Sequence, residues 1–247
     1  AAMGIAVHAR AAFRDVPPGG ASFEHRREWQ LVSWELFLIP AVQELLNQMD
    51  VILLGILSNA GEAAHFAAAW RLASLVTFGL VAASTVSAPL IASAYNRGNW
   101  TELARIARLS ARIGALFGVG LGITLAIIGK PMLDLFGPEF LPAYPALMIL
   151  LAGGLIFSCT GSVGTVMLMT GHQREALWIL AAALVIGLLV SVALIPILGA
   201  TGSAIASAAA LAIRGLVMAV FIRRKTGIDT TALGLAPIVK QDSNDRP

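Results

Sequence analysis

The stretch EALWILAAALVIGLLVSVALIP at residues 175–196 is apolar over almost its whole length, with Glu175 as its only charged residue. At about 1.5 Å per residue, a helix of this length crosses the roughly 30 Å hydrocarbon core of a bilayer. Similar runs recur along the 247-residue chain, which is 57% hydrophobic and 13% charged. An ordinary soluble domain carries about twice that charged fraction. The sequence therefore predicts an all-α, polytopic membrane protein.

Polar breaks divide the apolar sequence into six runs, which predict a six-helix transmembrane bundle over residues 31–225. The predicted spans are 31–57, 63–95, 103–128, 141–170, 175–196 and 200–222. Residues 1–30 contain the turn-forming PPGG and the charged EHRRE, and they are predicted to form a cytoplasmic linker. Residues 226–247 are predicted to be a disordered cytoplasmic tail.

Basic residues cluster at alternate ends of the predicted spans. They occur in the N-terminal segment, in the second and fourth loops and in the tail, whereas the other three loops hold only Lys130. Cytoplasmic loops of membrane proteins are enriched in Arg and Lys. We therefore expect a multi-pass protein of the inner (plasma) membrane with both termini cytoplasmic. The segment TELARIARLSAR at 101–112 is amphipathic and is expected to begin the third span at the inner leaflet, as a solvated lead-in to that span or as a specific lipid site.

The net charge of +3 does not indicate nucleic-acid binding, because most basic residues sit at the ends of apolar runs. No catalytic pattern accompanies them. The histidines follow no metal-binding spacing, and the single cysteine, Cys159, lies inside an apolar run. The sequence therefore predicts no catalytic site, no metal site and no cofactor, and we do not expect an enzyme.

Four charged residues lie deep within the predicted spans. They are Glu44, Asp50, Arg71 and Arg214. A charge near the bilayer centre costs at least about 2.5–3.5 kcal/mol on insertion scales, and such residues normally face a bundle interior or a wet cavity. These four are therefore candidates for a functional site, with interhelical hydrogen bonding as the plainer alternative.

The first predicted span carries one polar stripe. At 100° per residue, Gln43, Asn47 and Asp50 fall within an arc of about 60°. Glu44 lies beside this stripe. The stripe is expected to face the interior of the bundle.

Two ion pairs are suggested by depth. Asp50 and Arg71 lie at matching depths on neighbouring antiparallel helices, so we expect a buried ion pair between them. Arg214 has two possible roles, as a substrate contact or as the partner of Glu44. A guanidinium group binds phosphate through a planar fork, which makes Arg71 and Arg214 candidates for binding a diphosphate.

Several segments resemble the second half of oligosaccharide flippases in the multidrug, oligosaccharidyl-lipid and polysaccharide exporter superfamily. They are WQLVSWEL (29–36), QMDVILLGIL (48–57), AAAWRLASL (67–75), DLFGPEFLPAYPALMILL (134–151), MLMTGHQREAL (167–177) and LIPILGATGSAIASAAALAIR (194–214). The resemblance covers about residues 29–225.

This resemblance implies one half of a two-bundle exporter that moves undecaprenyl-diphosphate-linked oligosaccharide by alternating access. Its central cavity would use Arg71, Arg214, Gln43 and Asn47 for substrate, with Asp50 and Glu44 as ion-pair or coupling residues. The implied partners are the lipid-linked oligosaccharide, a missing N-terminal half-bundle and glycan assembly enzymes.

Two other functions remain open. One is a cation-coupled multidrug antiporter of the same superfamily, in which Asp50 or Glu44 carries the coupling ion. The other is a non-transporting membrane scaffold, or degenerate half-transporter. An antiporter depends on its carboxylates, whereas a diphosphate flippase depends on its arginines.

Overall fold

The computed structural model describes residues 26–232 and 234, and every structural statement below concerns these residues. The chain divides into two units, Ala1–Trp34 and Glu35–Pro247. In the first unit, residues 26–34 are helical, and the rest of the predicted linker lies outside the described residues. The second unit contains the helical bundle.

Six α-helices and one 3-10 helix form the regular structure of the described residues. They are α1 (Arg26–Leu57), α2 (Ala60–Asn96), α3 (Trp100–Asp134), the 3-10 helix (Pro138–Ala143), α4 (Tyr144–Thr160), α5 (Val163–Met169) and α6 (Gln173–Thr226). Five helical segments are long and apolar enough to cross a membrane, namely Phe37–Leu57, Ala60–Asn96, Trp100–Asp134, Pro138–Thr160 and Gln173–Thr226. The prediction of an all-α polytopic membrane protein is confirmed.

Helix α6 folds back on itself at Gly199. This glycine has φ +55° and ψ −134°, a conformation that side-chain-bearing residues rarely adopt. A Cβ atom at Gly202 would lie 2.6 Å from the carbonyl oxygen of Leu194, a contact that a straight helix does not allow. The two arms of α6 therefore run side by side, and α6 supplies two of six apolar segments.

The ends of the helices have recognisable sequence causes. Asn59 and Asn99 cap α2 and α3, and their side chains accept hydrogen bonds from the backbone N–H groups of Glu62 and Glu102 at 2.9 and 3.0 Å. Helix α4 ends at Gly161, which has φ +80°. The predicted continuous span 141–170 is therefore interrupted, because this glycine takes a left-handed conformation instead of serving as a packing glycine.

Small residues bring the helices of the second unit close together. A Cβ at Gly118 of α3 would lie 3.1 Å from the backbone of Val76 in α2, and one at Gly153 of α4 would lie 2.6 Å from Ala208 in α6. Close approach through glycine is typical of membrane bundles. Many large apolar side chains remain exposed on the outside, as expected for a surface that contacts lipid.

A short segment after α6 folds back against the bundle. Ile228 and Thr230 are buried, and the N–H of Ala232 donates to the carbonyl oxygen of Cys159 at 3.0 Å. These first residues of the predicted tail therefore pack against the bundle and cover the break at Gly161. Residues 233 and 235–247 lie outside the described residues.

Candidate functional site

The polar stripe of α1 faces the interior of the bundle. Asp50 is buried, and Gln43 and Asn47 are half-buried. The amide nitrogen Nε2 of Gln43 donates to Oδ1 of Asn47 at 3.5 Å, which links successive turns of the stripe. The helical periodicity of these residues thus places them on the face that packs inward.

Asp50 is bound by hydroxyl groups from both arms of α6. Ser191 and Ser203 donate to Oδ1 at 2.8 and 2.9 Å, and Ser207 donates to Oδ2. The side chain is only 1% exposed. Three hydrogen bonds to a buried carboxylate offset part of its desolvation. Asp50 therefore connects α1 to both arms of α6 through hydrogen bonds.

The predicted Asp50–Arg71 ion pair is wrong. Within the described residues, the arginine makes no salt bridge, and its side chain is exposed. The buried face of α2 includes Ala69 and Ala73, and Arg71 lies roughly 160–200° around the helix from them. Equal depth on two neighbouring helices does not by itself produce an ion pair, because the side chains of Asp50 and Arg71 point in different directions.

Arg214 is a buried cation with few partners. It is 8% exposed, and Nη1 donates to Oε1 of Gln43 at 2.9 Å. The guanidinium carbon lies 4.9 Å from the centroid of the Phe157 ring, within cation–π distance. Its Nε atom is buried and has no hydrogen-bond acceptor among the described residues.

No described carboxylate forms a salt bridge with Arg214. The alternative in which Glu44 balances this arginine is therefore wrong. Glu44 is exposed and accepts a hydrogen bond from Nε2 of Gln48 at 2.8 Å. The two neighbours Gln43 and Glu44 are separated by 100° around α1, so only Gln43 reaches the arginine.

Gln43, Asn47 and Arg214 line one cavity of about 420 Å³, which we name the arginine cavity. Its wall also includes hydroxyl groups of α2 and two aromatic rings. The other lining residues are Trp70, Ala73, Ser74, Thr77, Val81, Leu150, Gly154, Phe157 and Leu211. The structure thus brings together three of the four residues predicted to line a cavity, and Arg71 is not among its lining residues.

A smaller cavity of about 20 Å³ is lined by both Asp50 and Arg214. Asn47 and Ser207 also contribute to its wall. A cavity of this size is close to the minimum that holds one water molecule. The two opposite charges therefore line one small cavity without forming a salt bridge.

No sequence pattern indicated that Ser191 donates a hydrogen bond to the Asp50 carboxylate. It is the only hydroxyl in the run 175–196, and a single serine in an apolar helix gives no periodic signal. Ser203 and Ser207 carry such a signal, because they share a face with Arg214 at helical spacing. Among the described residues, no group of three or more His, Cys, Asp or Glu side chains could hold a metal ion.

Comparison with known proteins gives one match. The family model described as MatE matches residues 36–193, which is more than half of the chain. This region begins in α1 and ends in the first arm of α6, so it includes Asp50 and most of the arginine cavity. No curated protein and no solved structure matches the chain significantly.

Proposed function

The chain belongs to the MatE family of membrane transporters, and from that premise we propose that it moves a lipid-linked oligosaccharide across the membrane. The proposed substrate is an oligosaccharide on undecaprenyl diphosphate, used for cell-surface polysaccharide. The proposed transport unit contains two helical bundles, of which this chain supplies one. Its proposed location is the inner (plasma) membrane.

The observation that carries this proposal is that Arg214 is buried and has no described salt bridge. A guanidinium group that served only to hold the bundle would have its N–H groups paired with acceptors, since unpaired buried donors are costly. Here Nε has no described acceptor, and the side chain lines the arginine cavity. An anionic ligand in this cavity would supply the countercharge that no described residue provides.

A diphosphate fits this arrangement better than a neutral ligand. Phosphate oxygens accept two parallel hydrogen bonds from a guanidinium fork. The amides of Gln43 and Asn47 and the hydroxyls of Ser74 and Thr77 line the same cavity and offer further polar contacts. Such groups are needed where a charged headgroup must leave water to cross hydrocarbon.

The first experiment measures binding of undecaprenyl diphosphate to the whole chain in lipid nanodiscs. Because Trp70 lines the cavity, its fluorescence should change on binding. We expect Arg214→Gln to weaken binding more than tenfold, since a charge-assisted hydrogen bond contributes about 1.5–3 kcal/mol.

Arg71→Gln is the matched control, because it makes the same change at an exposed arginine outside the cavity lining. Undecaprenol, which has no phosphate, serves as the ligand control. Equal weakening by both substitutions, or equal binding of undecaprenol, would contradict the proposal.

A cation-coupled multidrug antiporter is the second candidate, and Asp50 is the observation that favours it. This carboxylate is buried among three hydroxyl oxygens and has no described ion-pair partner. Membrane carboxylates of this kind carry coupling ions in many transporters. Asp50→Asn would abolish cation-coupled drug export if this candidate is right, whereas undecaprenyl diphosphate binding would not depend on a cation gradient.

We also propose that both chain termini are cytoplasmic. Arg97 lies in the α2–α3 turn, and Arg223, Arg224 and Lys225 lie at the end of α6. Near the opposite end of the bundle, the last turns of α3 contain Lys130. This distribution supports the positive-inside orientation. In a Cys159→Ser background, a cysteine at Ser58 should react with an impermeant maleimide added outside intact cells, and one at Gly98 should not.

A further inference from the structure

A second cavity, of about 390 Å³, lies beside the arginine cavity. We name it the hydroxyl cavity, because Ser84, Thr85, Ser162 and Thr165 line it and none of its lining residues is charged. The two cavities share Val81 and Phe157. On α2 the arginine cavity is lined by residues 70–81 and the hydroxyl cavity by residues 80–88, so the second continues the first along the helix toward Asn96.

Phe157 marks the junction between the two cavities. Its ring lies 4.9 Å from the guanidinium carbon of Arg214 and also forms part of the wall of the hydroxyl cavity. A ligand whose anionic group binds Arg214 would therefore place the atoms next to that group beside the ring, at the entrance to the hydroxyl cavity. Aromatic rings provide flat apolar surfaces against which ring-shaped ligands pack.

The hydroxyl groups retain hydrogen-bonding capacity. Ser84 donates to Oγ of Ser162 at 2.8 Å, so the Ser162 hydroxyl keeps its own proton available as a donor. Thr85 donates to the carbonyl oxygen of Val81 at 2.9 Å, so its oxygen remains an acceptor. The Thr165 hydroxyl makes no hydrogen bond within the described residues. The cavity therefore presents both donors and acceptors, and no charge.

Two glycines at the break between α4 and α5, Gly161 and Gly164, line this cavity and have different surroundings. A Cβ at Gly164 would meet no atom within 4 Å. At Gly161, by contrast, a Cβ would contact Ala111 and the carbonyl oxygen of Thr230 from the segment that follows α6. Helix α3 and the segment after α6 thus pack against the backbone of the break at Gly161, while the space next to Gly164 is unfilled.

We propose that the hydroxyl cavity is a sugar-binding subsite, which holds the sugar residue attached to the diphosphate bound at Arg214. This inference rests on the proposed function and adds a position for the neutral part of the substrate. A polyprenyl chain would leave the Thr165 hydroxyl and the Ser162 proton without partners, which is unfavourable. A cationic drug would find no carboxylate among the residues lining either of the two large cavities.

The test compares four ligands on the whole chain in nanodiscs. They are undecaprenyl diphosphate and the same lipid carrying one residue of glucose, galactose or N-acetylglucosamine. We expect at least one sugar-bearing lipid to bind more tightly than the bare diphosphate. Thr165→Val and Ser84→Ala should each remove this extra affinity, about three- to tenfold, and leave binding of the bare diphosphate unchanged.

Thr124→Val is the matched control. Thr124 is an exposed residue of α3 whose hydroxyl donates to the carbonyl oxygen of Gly120, and it lines neither cavity. This variant should bind all four lipids like the unmodified chain. Arg214→Gln should weaken all four lipids to a similar degree, because the diphosphate is common to them.

Two results would overturn the subsite while leaving the proposed function intact. In the first, no sugar-bearing lipid binds more tightly than undecaprenyl diphosphate. In the second, Thr165→Val and Ser84→Ala both keep the extra affinity, or weaken the bare lipid equally. If the unmodified chain binds none of the four lipids, the proposed function fails and the subsite fails with it.

Discussion

Asp50 and Arg214 are both buried in the bundle and line the same small cavity, but their surroundings differ. The carboxylate of Asp50 accepts hydrogen bonds from three serine hydroxyls. The guanidinium of Arg214 has Gln43 as its hydrogen-bond acceptor, and its Nε atom has no acceptor among the described residues. The Arg214 side chain also lines the much larger arginine cavity. Burial alone therefore does not distinguish the two charges, whereas their hydrogen bonding does, and we propose that Asp50 stabilises the bundle and that Arg214 binds the ligand.

The difference follows from helix geometry. Both arms of α6 contribute serines to Asp50, because the reversal at Gly199 brings Ser191 and Ser203 to the same carboxylate. Arg214 lies on the second arm, two helical turns beyond Ser207 and on the same face. At that level α1 offers the amide of Gln43 in place of a carboxylate. The comparison predicts that Asp50 variants lose stability and that Arg214 variants lose ligand.

The largest expected change in stability is that of Asp50→Ala. This substitution leaves three serine hydroxyls without their acceptor, and interhelical hydrogen bonds in membranes contribute about 0.6 kcal/mol each. We expect the free energy of unfolding to fall by about 2 kcal/mol, measured by titration with a denaturing detergent. Arg214→Gln should cost less than half as much. Equal losses for the two variants would remove the distinction between the two charges.

A smaller change is expected for single serines around Asp50. Ser207→Ala and Ser191→Ala should each lower the free energy of unfolding by about 0.6 kcal/mol. In the Asp50→Ala background, the same substitutions should cost almost nothing, because their acceptor is already absent. Additive losses in this double-mutant cycle would show that the serines stabilise the bundle by some other contact. Ser93→Ala, at an exposed serine of α2, is the control.

The smallest changes are expected for the two exposed charges. Arg71→Gln and Glu44→Gln should leave the detergent midpoint unchanged within error, alone and combined, since neither side chain forms a described salt bridge. Both should also keep normal binding of undecaprenyl diphosphate. A marked loss of stability in Arg71→Gln that is restored by Asp50→Asn would instead support the ion pair inferred from depth.

Periodicity predicted which side chains of α1 share a face, because 100° per residue is a property of any helix. It also identified Arg214 as a candidate, since a charge in an apolar run is conspicuous. It could not identify the partner of Asp50, because which faces of two helices meet depends on packing against the others. The left-handed conformations of Gly161 and Gly199 were equally hidden, since packing glycines such as Gly118 have the same sequence signal.

The central claim is that Arg214 contacts the transported diphosphate, and export of lipid-linked glycan tests it most directly. Cells would carry a complete two-bundle protein that includes this chain, and Arg214→Lys and Arg214→Gln would be compared at equal membrane abundance. We predict that both variants insert normally and lose most of the export, because neither ammonium nor amide reproduces the guanidinium fork. Full export by both variants would contradict the account.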